Sequence, residues 1–192
     1  MACEPLTLGF DTSAAHCAAA LLSGDRILTA RAEDMTRGQA ERLMPLLQEM
    51  LASQDVTWRD LARIGVGIGP GNFTGIRISV SLARGLALSL GIPAIGVSTL
   101  EATRADRALG TACVPSPRGQ AYIQTGTGAP HLVPLEGIDH PVSPPGPADL
   151  AVAITRLAAN APQDSPRPAP LYVRPADAAP PRDAPPRILD DA

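Results

Sequence analysis

Residues 63–77 read Arg63-Ile64-Gly65-Val66-Gly67-Ile68-Gly69-Pro70-Gly71-Asn72-Phe73-Thr74-Gly75-Ile76-Arg77. Over 63–69, Ile64, Val66 and Ile68 alternate with glycines, the pattern of a central strand closely approached by other backbone. The periodicity then breaks, and 74–90 reads as a long helix, apolar almost all round, that stops at Gly91-Ile92-Pro93 with glycine before proline. A further strand follows at 94–97. Strand, glycine loop, helix and strand in that order form the repeating unit of an α/β sheet with helices on its faces.

Upstream, the apolar runs 5–11, 16–22 and 25–32 are separated by turns at Thr12-Ser13-Ala14 and Ser23-Gly24-Asp25, predicting an antiparallel three-strand meander. Ala40, Leu43, Met44, Leu47, Met50 and Leu51 recur at spacings of three and four, predicting an amphipathic helix over 38–52. Pro45 lacks an N–H, so it must sit in the first turns or kink that helix. Asp60-Leu61-Ala62 reads as a short helical turn. Downstream, Ser98 with Glu101 three residues on is a capping box opening another helix. In helix 74–90 the small residues fall in two stripes, Gly75, Ser79, Ala83, Ala87, Gly91 and Ser81, Gly85, Ser89. Neighbours can approach both closer than the usual ~8–10 Å, so this helix is expected to be packed on two sides.

Composition changes near residue 141: 13 of the 21 prolines lie between Pro141 and Pro186, against four in residues 1–103. The expected organisation is a domain over 1–103, a shortened second domain over 104–175 with strands at 111–114 and 120–125 and a helix at 148–159, and a Pro-rich mobile tail over 176–192. Apolar runs are broken before the ~20 residues a membrane helix needs, and the start of the chain lacks a signal-peptide pattern, so a cytoplasmic location is expected. Cys3, Cys17 and Cys113 are too scattered for a disulfide framework or a zinc knuckle. All 16 basic residues are arginine, which excludes a P-loop lysine, a Schiff-base lysine and a lysine general base. A net charge of -3 argues against a free-standing nucleic-acid binder, because such affinity rests on phosphate neutralisation.

Two constellations could carry chemistry. Asp11-Thr12-Ser13, at a tip between strands, resembles the first phosphate-binding hairpin of the actin, chaperone and sugar-kinase superfamily. It equally suits a tight turn whose hydroxyls bond their own backbone. Gly69, Gly71 and Asn72, ahead of a helix N-terminus, suit an anion site or a structural turn into the helix. The spacing is neither a Walker motif nor the dinucleotide fingerprint.

Gly69-Pro70-Gly71-Asn72-Phe73-Thr74-Gly75-Ile76-Arg77, the small-residue helix and Gly91-Ile92-Pro93-Ala94-Ile95-Gly96-Val97-Ser98-Thr99-Leu100 together resemble the signature of the TsaB (YeaZ) family. Leu8-Gly9-Phe10-Asp11-Thr12-Ser13, Ala40-Glu41-Arg42-Leu43-Met44-Pro45 and Leu171-Tyr172-Val173-Arg174-Pro175 resemble further parts of it. The likeness is nearly continuous over 6–103 and patchy beyond, where Ser116-Pro117-Arg118-Gly119-Gln120-Ala121-Tyr122 lacks the family's Asp and the region is shorter.

The resemblance implies a ribonuclease H-like (actin/sugar-kinase-like) α/β fold with a mixed sheet and a reduced second subdomain. It also implies a non-catalytic partner required for N6-threonylcarbamoylation of adenosine 37 in tRNA. The partners would be the catalytic subunit TsaD and the ATPase TsaE, with a homodimer when alone and tRNA reached only through the complex. TsaD carries two metal-binding histidines four apart; the corresponding positions here are Thr99 and Thr103, and threonine hydroxyls do not replace imidazoles on a transition metal. No catalytic residue, metal ligand or cofactor is therefore assigned, and Asp11, Thr12, Ser13, Gly69, Gly71 and Asn72 are expected as a vestigial nucleotide-like site. In the family the two helices form a four-helix interface, for which Arg37, Glu41, Met44, Leu47, Met50, Leu51, Arg77, Val80 and Arg84 are the candidates. The alternative is a nucleotide-dependent ATPase or kinase, or a metallo-glycoprotease, of the same superfamily.

Overall fold

A computed structural model describes residues 4–106, 110–126 and 128–173. Its first three strands, β1 (Leu6–Asp11), β2 (His16–Ser23) and β3 (Arg26–Asp34), form the expected antiparallel meander. β3 runs two residues further than its apolar pattern, because Glu33 and Asp34 still pair with Cys17 and His16. Next come α1 (Gln39–Ala52), β4 (Leu61–Gly67), α2 (Phe73–Leu90), β5 (Ala94–Val97) and α3 (Thr99–Asp106). β4 and β5 run parallel to β1, giving a mixed sheet in the order β3-β2-β1-β4-β5.

Local chemistry explains the departures. The expected turn at 60–62 is a 3-10 turn over Trp58–Asp60. Asp60 Oδ2 accepts from both Thr57 N (2.8 Å) and Thr57 Oγ1 (2.6 Å), so the chain is already extended at Leu61. Pro45 lies inside α1 rather than in its first turn. The helix α3 opens on Ser98, whose Oγ accepts from Glu101 N at 3.0 Å.

The sheet is covered on both faces. One carries α1 and α2, whose Leu43, Leu46, Leu47, Met50, Ile76 and Val80 join Leu8, Phe10, Ile64 and Val66 of the strands in the main core. The other carries α4 (Pro147–Ala159), where Ala151 and Val152 pack on Ala18, Ala20 and Leu22. A Cβ on Gly9 would strike Thr155, and one on Gly65 would come within 2.8 Å of the Ala158 methyl. The alternating glycines of the strands thus make room for α4. This differs from the expected organisation: the helix at 148–159, assigned to a second region, returns to close the first sheet, because that sheet's apolar back face has no other cover in residues 5–103.

The remainder is a small sheet of β6 (Thr111–Ser116), β7 (Gln120–Ile123), β8 (His131–Pro134) and β9 (Pro141–Val142) in the order β8-β7-β6-β9. Its Ala112 and Val114 pack on Leu100 of α3. The expected tail at 176–192 lies outside the described residues.

α2 is the one described helix long and apolar enough to cross a membrane by length and composition. Its stripe Gly75, Ile76, Ser79, Val80, Ala83 is buried against the sheet. Arg77, Ser81, Arg84, Gly85 and Leu88 face outward and are exposed. Two-sided packing was expected, and among the described residues one side alone is packed.

Candidate functional site

At the C-terminal end of β1 the Asp11 carboxylate is fully buried. Its Oδ2 accepts from Ser13 N (3.0 Å) and Ser13 Oγ (2.9 Å) and lies 2.8 Å from His16 Nε2. Asp11 Oδ1 is buried and has no hydrogen-bond partner among the described residues; it lies against Gly67, where any Cβ would strike it. The hairpin tip is docked on the glycine loop. Thr12 Oγ1 donates to Gly75 O at 2.7 Å, and Asn72 N donates to Ser13 O at 2.6 Å. A Cβ on Gly71 would strike the Ser13 carbonyl, and one on Gly75 the Thr12 carbonyl. Gly69 takes φ +91, a left-handed conformation that glycine alone adopts readily.

Asn72 caps α2, its Oδ1 accepting from Gly75 N at 2.8 Å. One of the N–H groups that an anion at that helix end would otherwise bind is thereby already satisfied. Asp11, Thr12, Ser13, Gly69, Gly71 and Asn72 therefore form one hydrogen-bonded unit, in which the glycines admit neighbouring backbone. The unit is tied to α3, since Thr99 N donates to Gly69 O at 2.8 Å. Thr103 Oγ1 donates to Thr99 O at 2.6 Å, and Thr99 Oγ1 is buried without a partner among the described residues.

His16 was not singled out by its spacing; only the pairing of β1 with β2 brings it to Asp11. Among the described residues, no three His, Cys, Asp or Glu side chains are grouped to hold a metal ion. Burial, followed by the nearby Glu33 charge, pushes the Cys17 thiol up to about 11, and burial also raises Cys113. Thiols so shifted are poor nucleophiles at neutral pH.

The candidate interface residues divide sharply. Leu47, Met50, Leu51 and Val80 are in the chain's own core, 0 to 3% exposed. The three-and-four spacing that marked them describes the stripe that goes to the sheet, so they are not available as free surface. Met44 is half-buried, and Arg37, Glu41, Arg77 and Arg84 are exposed. To these the structure adds Ser81, Gly85 and Leu88, whose side of α2 is uncovered among the described residues; Leu88 is 81% exposed.

Arg77 is partly engaged. Its guanidinium lies 3.8 Å from the centre of the Phe73 ring, and its Nε donates to Tyr172 Oη at 2.7 Å. The Tyr172 ring is 4.7 Å from that of Phe73, and Leu171 N donates to Ile68 O at 2.8 Å. The segment ending at Val173 is thereby pinned beside the glycine loop; Arg174 and Pro175 lie outside the described residues. On α1, Arg42 bridges Glu33 and Glu49 with N–O distances of 2.6 Å, holding both carboxyls below the usual range by hydrogen bonding.

Comparison with known proteins agrees with these features. A family model described as TsaD, tRNA N6-adenosine threonylcarbamoyltransferase, matches residues 32–121. The tRNA threonylcarbamoyladenosine biosynthesis protein TsaB of Escherichia coli is 39% identical over 93 residues, 48% of this chain and 40% of that protein. TsaB of Bacillus subtilis is 38% identical over 99 residues, 52% of this chain and 43% of its own length. The chain thus spans less than half the length of these relatives. Among solved structures, an uncharacterized protein with similarity to peptidase YeaZ from Pseudomonas aeruginosa has a TM-score of 0.70 at 23% identity, covering 88% of this chain and all of that one. YeaZ from Pseudomonas aeruginosa has a TM-score of 0.59 at 27% identity, covering 70% of this chain and 69% of its own. Over about half its length the chain is thus similar in sequence to TsaB (YeaZ) proteins, and it shares the α/β fold of the two Pseudomonas aeruginosa structures.

Proposed function

We propose that this chain is a non-catalytic partner subunit in tRNA N6-threonylcarbamoyladenosine formation at position 37, binding a TsaD-type catalytic subunit through the outer faces of α1 and α2. The observation that carries the reading is the side of α2 left uncovered by the described residues, where Ser81, Gly85 and the 81%-exposed Leu88 share one stripe with Arg77 and Arg84. Small residues let a second helix approach closely, and a projecting leucine costs solvation unless covered. The role supported is structural or allosteric, with TsaE as a further partner, a homodimer when the chain is alone, and tRNA met only through the cytoplasmic complex. Thr99 and Thr103, at the positions resembling TsaD's metal-binding histidines, support placing catalysis on the partner.

The test is co-purification with TsaD of the same organism. Wild type is expected to elute with TsaD and Leu88→Asp to elute alone with an unchanged melting temperature. Separate elution of wild type and TsaD overturns the assignment.

One observation favours a second reading, a nucleotide-dependent enzyme. Asp11 Oδ1 is a buried carboxylate oxygen without a partner among the described residues, at the strand end resembling the superfamily's phosphate hairpin. Calorimetric titration of the purified chain with magnesium and ATP separates the two. Micromolar binding with turnover supports the enzyme, and no heat supports the partner subunit.

A further inference from the structure

Beyond the outer face of α2, the end of that helix and the segment 163–168 enclose a groove of about 560 Å³. Its floor is apolar, with Ile92, Pro93 and Pro168, and the exposed Leu88 stands at its edge. Arg84 projects from the helix wall and Arg167 from the opposite segment. Both are exposed, and among the described residues neither has a hydrogen-bond or ion-pair partner. No aspartate or glutamate lines the groove. On the same face Arg77 is engaged by Tyr172 and Arg42 by two glutamates. Two free guanidiniums flanking an apolar floor are therefore a local excess of positive charge on a chain whose net charge is -3.

Backbone chemistry narrows the occupant. Gly91 N and Ile92 N both donate to Ala87 O, so the carbonyl of Leu88, a residue that lines the groove, has no intrahelical donor. A ligand that offers N–H groups beside carboxylates complements both features. Polypeptide does so. RNA brings phosphate charge but would need many more cations than two to bind at physiological salt.

We propose that this groove receives an acidic segment of the catalytic partner, with an apolar side chain on Ile92 and Pro168 and a carboxylate on each of Arg84 and Arg167. The inference rests on the partner-subunit reading and extends it from the helix faces to a second point of contact. A planar, bidentate donor on each wall fixes the register of the bound segment as well as its charge. Opposite charges across an interface also speed encounter and give salt dependence.

Binding of purified TsaD to the full chain would be measured at 50 and 300 mM NaCl for wild type, Arg167→Glu and Arg84→Glu. Arg167 lies off α1 and α2 and separates this contact from the helix face. Arg167→Glu is expected to weaken the complex at least tenfold at low salt, with a smaller salt dependence, and to leave the melting temperature unchanged. A photo-crosslinker replacing Gln163, on the groove wall, is expected to capture a TsaD peptide containing Asp or Glu.

A wild-type complex indifferent to Arg167→Glu overturns the groove while leaving the partner reading intact. Absence of any wild-type complex overturns both. Capture of a second copy of this chain, of tRNA, or of a TsaD peptide without acidic residues overturns the proposal even if Arg167→Glu weakens binding.

Discussion

Gly75 shows how a single residue sets the site. It lies where the Thr12 carbonyl approaches the first turn of α2 and accepts from nothing on Gly75 itself; the Gly75 carbonyl instead accepts from Thr12 Oγ1. A methyl there strikes the Thr12 backbone, which cannot swing aside as a flexible side chain would. Gly75→Ala is expected to destabilise the chain by roughly 2–3 kcal/mol, at the upper end of overpacking costs, lowering Tm by about 4–12 °C for a chain of this size. Gly85→Ala, at an open position of the same helix, is expected to raise stability by roughly 0.5–1 kcal/mol. Differential scanning calorimetry of the lone chain checks both, and equal effects would contradict the loop-on-loop account. The glycine loop's residues were legible in the sequence, but their use was not. Spacing alone left an anion cradle and a structural turn open, and only the Asn72–Ser13 and Thr12–Gly75 bonds show that the hairpin tip occupies the loop's inner side. His16 was illegible for a related reason, since five residues of separation become contact only through β1–β2 pairing.

At the scale of elements, α1 and β3 are joined by charge. Glu33 on β3 and Glu49 on α1 share Arg42, and the hydrogen bonds from Arg42 lower both carboxyl pKa values. Because the folded pKa lies below the unfolded value of about 4.3, the stability contribution is complete above that pH and is lost as pH falls through the folded value. Urea midpoints at pH 7, 4.5 and 3 should therefore drop between the last two, and drop less in Arg42→Ala. An identical acid loss in both chains would contradict the linkage. The sites are exposed, so the effect is small and should shrink in high salt. Helix periodicity predicted the existence of α1 and α2 well. It assigned the wrong side of α1 to a partner because Leu47, Met50 and Leu51 have the spacing of any buried stripe, and a sequence does not say whether a stripe is covered by its own sheet or by another chain. Ser81, Gly85 and Leu88 are the exposed candidates on α2. They lie on the face opposite the main apolar stripe, where a small-residue run has no use in the chain's own core.

Over the whole molecule, the meander and the parallel strand-helix units were readable because turns and caps punctuate them. The destination of α4 was not. Its apolar pattern predicts a helix but not a layer, and a Pro-rich approach made it look like part of a separate region. The clue lay in Gly9 and Gly65, whose missing side chains admit Thr155 and Ala158; they announced a close neighbour without naming it. With α4 in place both faces of the first sheet are covered, and the described residues leave open the outer side of α2 and the groove at its end. The proposed role in tRNA modification rests on that surface together with the sequence likeness to TsaB proteins over half the chain. It is tested most directly by depleting the protein in its own cells and quantifying N6-threonylcarbamoyladenosine in total tRNA by mass spectrometry. Loss of most of the modified nucleoside, restored by the wild-type chain but not by Leu88→Asp, is the predicted result; an unchanged level after depletion would contradict it.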